Sequence, residues 1–253
     1  MSGDLTSVER MKFSLFFGGL AISPEALAFI ASRCGHRPLT LADYASTRGV
    51  SLMLEGDVWV NAPVAAHNPN MVLGPKHLLR ADGDGLSVVD TETGAEVPAK
   101  FAPIPDYFAE RNADGALYTD FIHTHTDRAR LSPVRGCAMR CKFCDIPYEF
   151  RSRYFTKPIG SLLDAVARSL ADEVQPASHL LISGGTPRKE NHTYLHEIYR
   201  AVLTNFPTVD VDIMMAPVPG IIDILALAKL GVHELSLNLE RLTEKALSDF
   251  SLL

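Results

Sequence analysis

Three of the chain's four cysteines fall within eight consecutive residues, Cys137-Ala138-Met139-Arg140-Cys141-Lys142-Phe143-Cys144. The spacing is C-x3-C-x2-C, and the remaining cysteine, Cys34, lies about a hundred residues upstream. Any fold must therefore carry three thiols on one short segment, close enough to reach a single soft metal centre. Thiolates are the common ligands of zinc and of iron–sulfur clusters. A structural zinc site wants four closed ligands, often two C-x2-C pairs or paired histidines. The nearest histidines are His123 and His125 upstream and His179 downstream, all distant in sequence. A disulfide framework fails too, because three close cysteines cannot all pair and a chain of 253 residues does not need staples. Three ligands on a four-iron cube would leave one iron without a protein ligand, an open position suited to chemistry. Zinc stays as the alternative.

With 47% hydrophobic residues the chain can bury a sizeable core, as one large domain or two smaller ones. A formal net charge of −6 argues against a general nucleic-acid binder or a protein drawn to acidic membranes. Residues 128–157 depart from that balance, with Arg128, Arg130, Arg135, Arg140, Lys142, Arg151, Arg153 and Lys157 against only Asp145 and Glu149. Such a run is ordinarily a solvated face; beside anionic thiolates it also suits a carboxylate or phosphate on a ligand. No stretch reaches the roughly 18–20 apolar residues of a membrane span. The run Phe13–Ile22 imitates a signal-peptide core, with Ala26-Leu27-Ala28 as a cleavage site. Asp4 and Glu9 offset Arg10 and Lys12, however, so the positive leader is lacking. Reduced cysteines then predict a cytoplasmic protein.

From about Arg128 onward, short apolar runs alternate with helical patterns, the signature of βα units on a parallel sheet. Strands are expected at Ala129–Val134, His179–Ser183, Val209–Ala216 and Glu234–Leu239. Helices are expected at Ser161–Glu173, His192–Asn205 and Ile221–Leu230, the last stopped by Gly231, with a further helix opening at Arg241–Phe250. This α/β reading divides the chain into an accessory domain over 1–127 and a core over 128–253. In the first part, Val58-Trp59-Val60 and Leu86–Val89 read as strands, Asp82-Gly83-Asp84-Gly85 as a turn and Pro24–Arg33 as a short helix. It is a small α+β or β-rich domain of undisclosed role, in which Cys34 is an ordinary buried thiol.

In open α/β sheets and barrels, ligands bind at the carboxyl ends of the strands. The cysteine segment follows the first core strand, and Gly184-Gly185-Thr186-Pro187 follows the second. The last strand alternates leucines with Ser236, Asn238 and Glu240, so one face of it is polar. A parallel strand buried on both sides would read apolar throughout, which suggests a lined cavity. His123 and His125 share one face if their segment is extended. A second metal site there would need more ligands, and the amino end of a barrel strand is the side concerned with stability.

The C-x3-C-x2-C spacing, with Phe143 before the last cysteine and the Gly184-Gly185 turn, resembles the signature of the radical S-adenosylmethionine (SAM) superfamily. The resemblance implies a partial (β/α) barrel, of which about four units are present, so that a truncated C-terminus is expected. It further implies that Cys137, Cys141 and Cys144 hold three irons of a [4Fe–4S] cluster while SAM chelates the fourth. Phe143 would help seat the adenine, and Gly184, Gly185, Thr186 and Pro187 would meet the SAM amino group. Asn238 and Glu240, similar to the biotin synthase and lipoyl synthase segment, would meet the ribose. A flavodoxin- or ferredoxin-type donor would deliver one electron. SAM would then split into methionine and a 5′-deoxyadenosyl radical, which takes hydrogen from a small-molecule or biosynthetic substrate. No side chain is singled out as a catalytic acid, base or radical quencher. A methylthiotransferase is disfavoured, since that family needs three more cysteines upstream, and peptide-modifying types need extra cysteines after the motif. The reading from another class is a non-catalytic metal-binding or scaffold protein.

Overall fold

The computed structural model describes residues 5–33, 38–39, 49–68, 74–139, 141, 154–218 and 222–237. The chain divides into two units, Met1–Ile104 and Pro105–Leu253. Residues 105–127, grouped with the accessory part by the sequence reading, belong to the second unit.

The first unit opens with a helix whose start is written in its sequence. In α1 (Ser7–Gly18) the Thr6 hydroxyl accepts the Glu9 N–H while the Glu9 carboxylate accepts the Thr6 N–H at 2.7 Å. This reciprocal cap satisfies two amides that the helix cannot. Gly19, at φ 66°, ends the helix and turns the chain into β1 (Leu20–Ile22). The apolar run Phe13–Ile22 is thus split between a helix and a strand. Helix α2 (Pro24–Arg33) begins at a proline, tolerated where an N–H has no partner. Strands β2 (Gly49–Leu54), β3 (Val58–Pro63), β4 (His77–Asp82), β5 (Gly85–Asp90) and β6 (Glu96–Phe101) complete a sheet of order β1-β4-β5-β6-β2-β3. Among its strand pairs in the described residues, β1–β4 is parallel and the others are antiparallel. Asp82 pairs with Gly85 around Gly83 at φ 59°, so the Asp-Gly segment makes a two-residue hairpin turn. Leu15, Ile30, Leu52, Leu79 and Val88 form its fully buried centre.

The second unit is a mixed α/β assembly. Its strands are β7 (Ile122–His125), β8 (Arg128–Leu131), β9 (Val134–Arg135), β10 (Phe155–Thr156), β11 (His179–Ile182), β12 (Asp210–Met215) and β13 (Glu234–Leu237). Its helices are α3 (Ile159–Leu170), α4 (His192–Asn205) and α5 (Ile224–Leu230). The main sheet runs β13-β12-β11-β8-β7, with β8, β11, β12 and β13 parallel. Strand–helix–strand alternation on a parallel sheet is the arrangement of a partial β/α barrel. Alternate residues Ala129, Leu131, Leu180, Ile182, Val211 and Ile213 are buried, and α3 presents Leu162, Ala165 and Val166 to the core.

Three differences from the sequence reading have local causes. The first core strand is not continuous over 129–134. Pro133 lacks the amide a ladder needs, and beyond it β9 leaves the main sheet to pair antiparallel with β10. Helix α3 ends at Leu170 rather than at Glu173, because the Asp172 carboxylate accepts the amides of Val174 and Gln175 and turns the chain. Helix α5 begins at Ile224, where Asp223 caps the Ala226 N–H, and ends at Gly231 with φ 87°, as its glycine predicted. The expected helix at 241–250 lies outside the described residues, as does Cys34.

Strand β7 was not anticipated. It pairs antiparallel with β8 across a tight turn holding Thr126 at φ 63°. The pairing sets His123 opposite Arg130 and His125 opposite Arg128. Carried across the sheet, the register places His123, His125, Arg128, Arg130 and His179 on the same face as Asp210, Asp212, Glu234 and Ser236. That face is basic at one edge and acidic at the other.

Candidate active site

The carboxyl end of β8 and the short β9 lead into the cysteine segment, and the carboxyl end of β11 leads into Gly184-Gly185-Thr186-Pro187. The two meet backbone to backbone. The Ala138 N–H donates to the Thr186 carbonyl at 2.8 Å. In return the Thr186 N–H points at Cys137 Sγ at 3.2 Å, and the Met139 N–H does so at 3.4 Å. A Cβ added to Gly185 would stand 1.8 Å from the Gly136 carbonyl oxygen and 3.0 Å from the Cys137 Cα, so only glycine allows this approach. Gly184, at φ 148°, adopts a conformation that other residues rarely reach. The glycine turn and the cysteine segment are therefore one piece of structure.

The segment is closed at its base. Val134–Arg135 pair with Phe155–Thr156, fixing the two ends of residues 136–154 side by side. The Tyr154 hydroxyl donates to Asn191 Oδ1 at 2.9 Å and accepts the Arg188 N–H at 2.8 Å. The Arg188 guanidinium covers the Tyr154 ring at 4.3 Å, a cation–π contact. Burial pushes the Tyr154 phenol up, and the nearby Cys137 adds a smaller push in the same direction. Tyr154 and Arg188 escaped the sequence reading because neither belongs to a periodic pattern or a ligand spacing.

Cys137 and Cys141 are half-buried, and neither forms a disulfide. Cys144, Phe143, Asn238 and Glu240 lie outside the described residues, so their expected places are not described. Beside the glycine turn opens a small cleft, partly open to solvent, lined among others by Pro133, Ser183, Gly184, Thr186 and Met214. It sits at the carboxyl ends of β11 and β12, where open α/β sheets bind ligands.

The basic edge of the sheet carries its own electrostatic signature. Lys157, 7% exposed, donates to the Asp120 carbonyl at 2.6 Å, and its ammonium lies 5.9 Å from the Phe121 ring centroid. Burial, reinforced by Arg135 and Arg130, pushes its pKa down to about 7, although Asp120 opposes the shift. Burial and the Arg130 charge likewise depress His123 to about 3 and His125 to about 4. Arg130 Nε and His125 Nε2 are buried and have no hydrogen-bond partner among the described residues. Arg130 is a buried cation whose cost an anionic ligand would relieve, whereas His123 and His125 are held neutral at ordinary pH. The two histidines stack at 6.3 Å between centroids, with Phe108 edge-on to His123. Neither belongs to a group of three or more potential metal ligands among the described residues, so the pair lines this wall as neutral rings.

Residues 131–250 match the family model described as the Radical SAM superfamily. The second unit contains a radical SAM domain. The matched stretch includes the cysteine segment, the glycine turn and the parallel strands β11 to β13. No curated protein and no solved structure matches the chain. Radical SAM domains generally bind a [4Fe–4S] cluster and SAM. The donor chemistry at the cysteine segment fits such a cluster: thiol sulfurs at a strand's carboxyl end, one of them facing two backbone N–H groups. Hydrogen bonds of that kind help set a cluster's potential.

Proposed function

We propose that the protein is a radical SAM enzyme in which Cys137, Cys141 and Cys144 hold a site-differentiated [4Fe–4S] cluster. The observation that carries this reading is the contact between the cysteine segment and the glycine turn, with the Cys137 sulfur facing the Thr186 and Met139 amides. When bound, the cluster would supply one electron for reductive cleavage of SAM to methionine and a 5′-deoxyadenosyl radical, which takes hydrogen from substrate.

The chain's own part is positioning and exclusion. The missing side chains at Gly184 and Gly185 leave backbone groups open to the SAM amino group. Phe143 supports the adenine, and Asn238 and Glu240 bond the ribose. Thr186 fixes the turn against the cysteine segment, and Pro187 follows it in the stretch that would meet SAM. Arg130, with Lys157 near it, suits a small-molecule substrate that carries a carboxylate or phosphate, because burial has left the Arg130 Nε without a hydrogen-bond partner among the described residues. The electron would come from a flavodoxin- or ferredoxin-type donor, and a thiolate-held cluster fits a reducing, cytoplasmic compartment. Among the described residues, no helix is long and apolar enough to cross a membrane.

Anaerobic iron–sulfur reconstitution, then dithionite reduction with SAM and an assay for 5′-deoxyadenosine, tests the reading. Formation of 5′-deoxyadenosine is the expected result. A loaded cluster without cleavage would favour the non-catalytic scaffold, and stoichiometric zinc without iron would overturn the cluster assignment.

A further inference from the structure

A second group of metal-binding side chains stands apart from the cysteines. His179 opens β11, Asp212 lies inside β12, and His233 immediately precedes β13. These strands are neighbours in the sheet. The Asp212 side chain is 10% exposed and uses both oxygens: Oδ2 is 2.7 Å from His179 Nε2, and Oδ1 is 3.0 Å from His233 Nδ1. One ligand atom from each residue lies within 4.8 Å of the other two. We propose that His179, Asp212 and His233 form a binding site for a borderline first-row divalent cation, represented by zinc, which staples three adjacent strands near their amino ends.

The donor set suits that class of ion. Two imidazole nitrogens and one carboxylate oxygen are ordinary zinc ligands at about 2.0–2.2 Å, which puts neighbouring donors of a tetrahedron roughly 3.3 Å apart. The separations of 2.7 and 3.0 Å, one to each Asp212 oxygen, would open by a few tenths of an ångström, while the widest donor pair, within 4.8 Å, would close towards that spacing. His179 Nε2 is buried and has no hydrogen-bond partner among the described residues, and on entry of the cation each ring presents a lone pair from the nitrogen nearest Asp212. A neutral ring does so by moving its proton to its other nitrogen, and a protonated ring by releasing one. The register adds negative charge: Asp210 pairs with His179, and Glu234 pairs with Asp212. Either carboxylate, or water, can complete the coordination.

Position decides the role. The cysteine segment and the glycine turn follow the carboxyl ends of β8 and β11, whereas His179 and His233 stand at strand beginnings. In barrels that end is concerned with stability. A cation there joins the residue before β13 to β11 and β12, so the apparent stability of the sheet rises with metal concentration. The proposal is independent of the radical SAM reading, because none of its ligands belongs to the cluster site.

The test uses the full chain with Cys137, Cys141 and Cys144 replaced by serine, freed of metal, and titrated with cobalt(II) and then zinc. Expected are cobalt d–d bands without thiolate charge transfer, displacement by one equivalent of zinc, and a melting temperature that rises with zinc. His233→Ala changes a half-exposed side chain, so the fold persists, and it should weaken binding roughly a hundredfold or more. Should the serine variant prove unfolded by circular dichroism, the unsubstituted chain serves, since cobalt on thiolates shows intense charge transfer and cobalt on imidazole and carboxylate does not. Absence of cobalt binding overturns the proposal. Binding that survives His233→Ala overturns it too, as an adventitious ion only.

Discussion

Gly185 occupies a position where a single methyl group decides whether two loops can meet. Its absent Cβ leaves room for the Gly136 carbonyl, and that contact brings the Thr186 amide to Cys137. Gly185→Ala should destabilise the second unit by about 3 kcal/mol or more, since backbone rather than a movable side chain is in the way. It should also abolish 5′-deoxyadenosine formation; urea unfolding and the cleavage assay read the two effects separately. The cysteines divide more sharply. Cys137→Ala, Cys141→Ala and Cys144→Ala should each eliminate SAM cleavage, whereas Cys34→Ala should leave the iron–sulfur absorption spectrum intact. Loss of that spectrum in Cys34→Ala would refute the ligand set.

At the level of elements, the clearest success of sequence reasoning is where punctuation residues act alone. Helix α2 starts at Pro24 and α5 stops at Gly231 because proline and glycine settle those boundaries locally. The hairpin β7–β8 shows the opposite. Its strand reads Ile-His-Thr-His, with too little apolar alternation to announce itself, and its turn carries Thr126 where a glycine would be usual. A β-branched residue at φ 63° is strained, at about 1–2 kcal/mol for the left-handed conformation. Thr126→Gly should therefore stabilise the hairpin by up to about 1 kcal/mol, visible as a higher urea midpoint. Unchanged or lower stability would mean that the Thr126 hydroxyl bond to Asp127 outweighs the relief.

On the scale of the second unit, the basic edge of the sheet links protonation to folding. His123 and His125 titrate near 3 and 4 in the fold against an ordinary 6.5, so the unfolded chain binds more protons between those values. Stability must then fall as pH drops from about 6.5 towards 4. Lys157 is depressed from 10.5 to about 7, so the unfolded chain again holds more protons across that interval, and its contribution rises with pH from 7 to 10. Lys157→Met should flatten the alkaline rise and leave the acid loss in place. Hydrogen exchange of β8 and β11 amides, followed against pH, reads this unit directly. An unaltered alkaline slope in the variant would show that Lys157 is not its source.

The residues alone determined what depends on short range: the three-thiol segment, the glycine turn, the helix caps, the βα alternation and hence the superfamily. These are properties of spacing and local conformation, which a chain carries before it folds. Tertiary structure alone decided which side chains share a place. Pairing of β9 with β10 and the Tyr154–Arg188 contact close the cysteine segment, yet Tyr154 and Arg188 are 34 residues apart. The unforeseen strand β7 gathers His123, His125 and Arg130 into one wall. Parallel register brings His179, Asp212 and His233, spread over three strands, around a single carboxylate. Such meetings depend on which strands become neighbours and in what register. That choice is made by burying apolar faces over the whole sheet, and no window of sequence contains it.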